Sequence, residues 1–211
     1  MLNIIFLYTN LPDIWYNNHV KNFLKFKAVF VANIIYKSEN IVPWDTQSAF
    51  KMTSYNVSSE NNMVFCYLKA YVNGGDLVLC SYRFTEETGK SADMHIYTNL
   101  NPESDCGILH IDYGYDGISS ATVNNSDIAD KLVYSSFRAD DEQGFYWCGE
   151  IRIPARFIKE TFGVVLEENS IIQLNMIQTF ENDDIAVLFG NCEEENYSPE
   201  ENMAVFVVLN Y

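Results

Sequence analysis

The chain has 211 residues, 48% of them apolar and 15% aromatic. That is enough nonpolar side chain to bury a full core, which excludes a disordered chain and fits a single domain over residues 1–211. Its 29 acidic residues against 13 basic ones give a net charge of −16, a field that repels phosphate backbones and anionic lipid, so nucleic acid and membrane surfaces are not expected as partners.

Residues 1–8 are apolar but have no basic flank, and Asn10, Pro12 and Asp13 interrupt them before any cleavage pattern. No other run approaches the roughly 18 apolar residues of a membrane span. A cytoplasmic protein is expected, with an extracellular one as the alternative. Residues 1–60 carry the thinnest pattern. Asp13 is placed to cap a short helix over 15–26, and the run VFVANIIY over 29–36 reads as a strand.

From residue 60 onward the pattern is all-β. Runs at 63–72 and 77–84 are joined by Asn73-Gly74-Gly75-Asp76, residues that accept the positive φ values of a tight hairpin. A strand over 94–100 ends at Asn101-Pro102. Another covers 108–115, with Gly114 and Gly117 flanking a turn. A polar loop over 124–130 leads to a strand over 133–138, and 140–144 turns the chain again. The segment YWCGEIRIPARFIKETFG then switches hydrophobic period. Phe145, Trp147, Ile151 and Ile153 alternate with Cys148, Glu150 and Arg152, as in a half-buried strand. Pro154 cannot donate to a ladder and stops it; Phe157, Ile158 and Phe162 follow at helical spacing, closed by Gly163. Strands over 171–180 and 203–211 complete the series, and the acidic stretch 193–201 between them reads as a solvated loop.

The five cysteines are an odd number without a C-x-x-C pair. Cys66, Cys80 and Cys148 lie inside apolar strand patterns and read as small core residues with free thiols, which suits a reducing compartment.

A tryptophan-bearing strand ending in Ile153-Pro154 and followed by a Phe-rich helix resembles the carbohydrate-binding module family 9-like domains, relatives of the DOMON sandwiches. The order of the flanking strands agrees over residues 60–211. The resemblance implies an all-β fold, an antiparallel β-sandwich of jelly-roll or immunoglobulin-like type with a short helix after Pro154. It also implies non-catalytic binding of a mono- or oligosaccharide in an aromatic-lined cleft at the loop end. Rings stack on the apolar face of a sugar, and polar side chains replace water at its hydroxyls.

Carried over position by position, the site departs from the family's pattern. His95, in SADMHIY, stands where the family often has an acid, and His110, in LHIDYGY, where it often has an arginine. Phe189 falls near the family's clamping tryptophan, and Asn175 and Gln178 resemble its polar strand. The expected ligand-binding set is His95, His110, Tyr113, Gln178 and Phe189, each of which also reads as an ordinary strand or core residue. The altered positions keep open a structural or interaction domain that has lost the sugar site.

A metal is not expected, because spacing places no carboxylate or thiolate beside the two histidines. Haem held between Met94 and His95 is excluded, since adjacent strand residues point to opposite faces. No cofactor is expected. A carbohydrate-active enzyme is a further alternative, with Asp112, Asp116, Glu150 and Glu181 as available acids. The chain has no G-x-S-x-G, H-E-x-x-H, phosphate loop or G-x-G-x-x-G, so no catalytic residue is assigned.

Overall fold

The computed structural model describes residues 33–40, 47–55, 65–84, 94–141, 144–179, 185–192, 194 and 196–211. The helix expected over 15–26 lies outside them, as does Glu181.

Strand formation follows the alternation read from the sequence. The strands are β1 (Asn33–Ser38), β2 (Phe50–Lys51), β3 (Thr53–Tyr55), β4 (Phe65–Asn73), β5 (Asp76–Phe84), β6 (Met94–Asn99), β7 (Leu109–Gly114), β8 (Gly117–Val123), β9 (Ser126–Asp127), β10 (Val133–Asp141) and β11 (Gly144–Ile153). Helix α1 (Ala155–Phe162) precedes β12 (Ile171–Thr179), β13 (Ile185–Val187) and β14 (Ala204–Asn210). The β4–β5 hairpin closes through Gly74 and Gly75, both at positive φ (56° and 91°), as a two-residue turn matched to the twist of its strands requires. The run 124–130, expected as a loop, instead holds a second tight turn and the short strand β9, paired to β8.

One curled sheet results, in the order β10-β11-β5-β4-β1-β14-β12-β6-β7-β8-β9. It is mixed, which corrects the antiparallel expectation: β1 runs parallel to both of its neighbours, β4 and β14. Sequence period reports which face a residue occupies but not the direction of its partner strand. The inner faces of the two halves meet in one core. Leu68, Leu79, Trp147 and Ile151 from the β4–β5–β11 side pack with Ile96, Ile111, Leu174 and Phe206 from the other. The halves also touch through polar groups, since the Tyr134 hydroxyl on β10 donates to the Gly114 carbonyl at 2.5 Å. Gly149 lets them approach at mid-strand; a β-carbon there would sit 3.0 Å from the Tyr113 ring.

The strand, proline and helix unit is as expected. On β11, Trp147, Ile151 and Ile153 are buried and Glu150 and Arg152 look outward, while Phe145, at the strand's start, is 52% exposed. Helix α1 buries Phe157, Ile158 and Phe162. Its first amide, from Ala155, donates to Asp76 Oδ1 at 2.8 Å, and the same carboxylate takes Arg152 Nη1 at 3.1 Å. The hairpin turn thus supplies the acceptor that the helix start lacks.

The cysteines require a correction. Cys80 and Cys148 are joined as a disulfide across β5 and β11, whereas Cys66, Cys106 and Cys192 stand outside any disulfide. Cys80 lies opposite Glu150, two residues along β11 from Cys148, so the two share a face. An odd count and the separate strand patterns do not reveal that diagonal pairing. Cys66 is sealed in the core, and burial pushes its thiol up to about 12.

Two predictions follow from this packing. Trp147→Ala leaves a cavity where the two inner faces meet and should cost about 3–5 kcal/mol in denaturant unfolding; a loss below about 1 kcal/mol would contradict the position of Trp147. Alkylation of the folded protein at mildly alkaline pH should modify Cys106 and Cys192 but spare Cys66 until unfolding, and peptide mass spectrometry should recover Cys80 and Cys148 as one linked pair.

Candidate functional site

Strands β6 and β7 alternate buried and half-buried residues, so one face of the ladder enters the core and the other looks outward. Met94, Ile96, Leu109, Ile111 and Tyr113 fill the core side. His95 and Tyr97 on β6, with His110 and Asp112 on β7, occupy the outward face. Register brings them together, since His95 lies opposite Asp112 and Tyr97 opposite His110. On β8, Ser120 and Thr122 extend the same rows. The β7–β8 register slips at Ser119, whose hydroxyl donates to the Asp112 carbonyl at 3.1 Å. This bulge adds local twist beside the carboxylate.

Asp112 Oδ1 is shared by both imidazoles. It lies 2.7 Å from His95 Nδ1, within hydrogen-bond geometry, and 2.8 Å from His110 Nε2, which is buried and lacks a hydrogen-bond alignment. The second contact is therefore a close approach without a hydrogen bond. The far nitrogen of His95, Nε2, is 3.5 Å from the Thr179 hydroxyl. The His110 ring stacks on Tyr97 with centroids 4.3 Å apart and planes 11° apart. The three charged or chargeable side chains remain accessible, with His95 22%, His110 31% and Asp112 20% exposed. Burial, together with the negative charges of Asp112 and Glu200, pushes the Tyr97 phenol up to about 12, so it is neutral and can donate.

A loop flanks this face, and β12 anchors it. Asn175 lies opposite Tyr97 on the outward side of β12 but is fully buried, because the chain after β13 folds over it. Its amide nitrogen is within 3.1–3.3 Å of the Phe189 carbonyl, the Tyr197 hydroxyl and the Pro199 and Asn202 carbonyls. Its oxygen accepts from the Phe189 amide at 3.1 Å and the Met176 amide at 2.9 Å. The acidic stretch expected as a solvated loop is in part a docked one.

The residues expected from sequence separate into two groups. His95 and His110 come together on the outward face. Tyr113 and Gln178 point into the core and are wholly buried. The Tyr113 hydroxyl approaches Met176 Sδ at 3.8 Å, and neither atom of the Gln178 amide has a hydrogen-bond partner among the described residues. Phe189 is partly buried and packs edge-on against Phe206, with centroids 5.8 Å apart. Asp112 and Tyr97 were missed as partners of the histidines. The available signal was period two: 110 and 112 share a face, as do 95 and 97. Glu150, another acid considered, sits on β11 in the other half of the sheet.

The arrangement offers hydroxyl-binding groups beside a stacked ring pair. It also brings three metal-ligand side chains together, with the ligand atoms of His95, His110 and Asp112 all within 4.8 Å of one another. If Asn175 holds the loop, Asn175→Ala should leave several buried carbonyls unmatched and cost at least about 2 kcal/mol. Hydrogen exchange should rise at the Phe189 amide in that variant, while exchange in β5 and β11 stays slow.

No family model matches the sequence, and no curated protein does. Solved structures do match. A carbohydrate-binding module of family 9 from Caldicellulosiruptor kristjanssonii, in complex with cellotriose, aligns with a TM-score of 0.59 at 9% identity, over 85% of this chain and 94% of that one. The module from the same organism in complex with glucose aligns with a TM-score of 0.59 at 12% identity, over 85% and 97%. A Bacteroides uniformis structure aligns with a TM-score of 0.58 at 8% identity, over 84% and 98%. At such identities the likeness is one of architecture: this chain has the fold of the family 9 carbohydrate-binding modules.

Proposed function

We propose that this protein binds a neutral mono- or oligosaccharide without turning it over, on the outward face of β6 and β7 beside the loop held by Asn175. The observation that carries the reading is the cluster of His95, Tyr97, His110 and Asp112 on one accessible sheet face, in a fold whose solved examples hold cellotriose and glucose. The Tyr97 and His110 rings offer an apolar surface to the C–H face of a sugar. Asp112 accepts from sugar hydroxyls, and the neutral Tyr97 phenol donates to them. Tyr113 and Gln178 contribute from beneath, as packing under this face, and Phe189 supports the loop at its border.

The test is calorimetry with glucose, cellotriose and a panel of neutral glycans. Tyr97→Ala and His110→Ala should each weaken binding by about 1–3 kcal/mol, roughly 5- to 150-fold. Affinity should change little between low and moderate salt, because the ligand carries no charge. If no neutral saccharide binds at millimolar concentration, or if both folded variants bind as the parent does, the reading fails and an interaction domain on the same fold replaces it.

A further inference from the structure

We propose that His95, His110 and Asp112 form a binding site for one divalent metal ion of the zinc class. The site goes beyond saccharide binding and does not depend on it. Adjacent antiparallel strands present all three side chains, with His95 directly opposite Asp112 and His110 two residues before Asp112 on the same face. A rigid mid-sheet ladder holds their backbones, since β6 is paired on both sides by β12 and β7, and β7 by β6 and β8.

The donor atoms are already convergent. Nδ1 of His95 and Nε2 of His110 both turn toward Asp112 Oδ1, at 2.7 Å and 2.8 Å. Tetrahedral zinc, with bonds of about 2.0–2.2 Å, needs donors about 3.4 Å apart. The two contacts therefore have to open by about 0.6 Å and the two imidazole nitrogens, which lie within 4.8 Å, have to settle at the same spacing, movements within reach of side-chain torsions on a fixed backbone. His110 Nε2 is a buried polar atom without a hydrogen-bond partner among the described residues. Coordination would resolve that vacancy, which the off-axis contact to Asp112 does not. Thr179 sits 3.5 Å from the opposite nitrogen of His95, and Tyr97 stacks flat on His110, so both rings have an outer contact that fixes their orientation.

Two imidazoles and one carboxylate favour zinc, cobalt, nickel or ferrous iron over calcium and magnesium, which take all-oxygen sets. Three protein ligands leave a coordination position open for water or another small oxygen ligand, and the partial exposure of all three side chains provides the path of entry.

The experiment is titration of the chelator-treated full chain with zinc chloride, without saccharide and with excess magnesium to occupy surface carboxylates. One zinc per chain should bind. Cobalt should give a visible ligand-field band in the parent protein. His95→Ala, His110→Ala and Asp112→Asn should each lower zinc affinity at least about tenfold and abolish the cobalt band, with unfolding curves confirming that the variants are folded. A Cys106→Ser, Cys192→Ser double variant should bind zinc as the parent does. Zinc binding that magnesium displaces, that the histidine variants retain, or that disappears with the two thiols would overturn the proposal. Each of these outcomes leaves the calorimetric test of saccharide binding unaffected.

Discussion

The parallel pairing of β1 on both of its edges is the constraint from which the rest of the sheet follows. Asn33–Ser38 aligns with β14 from Asn33↔Phe206 to Lys37↔Asn210 and with β4 from Tyr36↔Tyr71 to Ser38↔Asn73. Without it, β4 and β14 would each present a row of unpaired amides and carbonyls beside the core, and buried backbone groups must be satisfied. Pairing β1 with both makes one continuous sheet from two halves that also meet across their inner faces and through the β2–β3 segment, which pairs with β4 and β13. Ile35, wholly buried, extends the core through that junction.

Local chemistry was the readable part of the sequence. The β4–β5 hairpin, the β11 strand, the proline stop and helix α1 each arise from residues close together in the chain. A turn that needs glycine, or a proline without an amide, leaves its mark wherever the strand eventually pairs. The strand read over 29–36 overlaps β1, but nothing within six residues says that both of its neighbours run parallel. The same limit hid the disulfide, because Cys80 and Cys148 are separated by 68 residues and only the β5–β11 register places them on one face.

The candidate site was legible by halves for the same reason. His95 and His110 come to notice through the family resemblance, and period two is enough to show that His110 and Asp112 look the same way. What the chain could not disclose is that β6 and β7 are adjacent in a register that sets His95 against Asp112. Tyr113 and Gln178 fall on the opposite phase of their strands from the outward rows, so the alternation that turns His110 out turns Tyr113 in. Asn175 illustrates a different difficulty. Its face is the outward one, yet it is buried because a distant loop uses its amide as a local acceptor and donor set.

That docked loop also gives the site an electrical character. Asn175 fixes the backbone around Pro199 and Asn202, and in doing so it holds the Glu200 carboxylate close enough to act on Tyr97, adding to the charge of Asp112. The negative potential is thus attached to the sheet face by hydrogen bonds instead of trailing in solvent. With no cation bound, an anion brought to this surface meets repulsion from both Asp112 and Glu200, whereas a neutral solute does not.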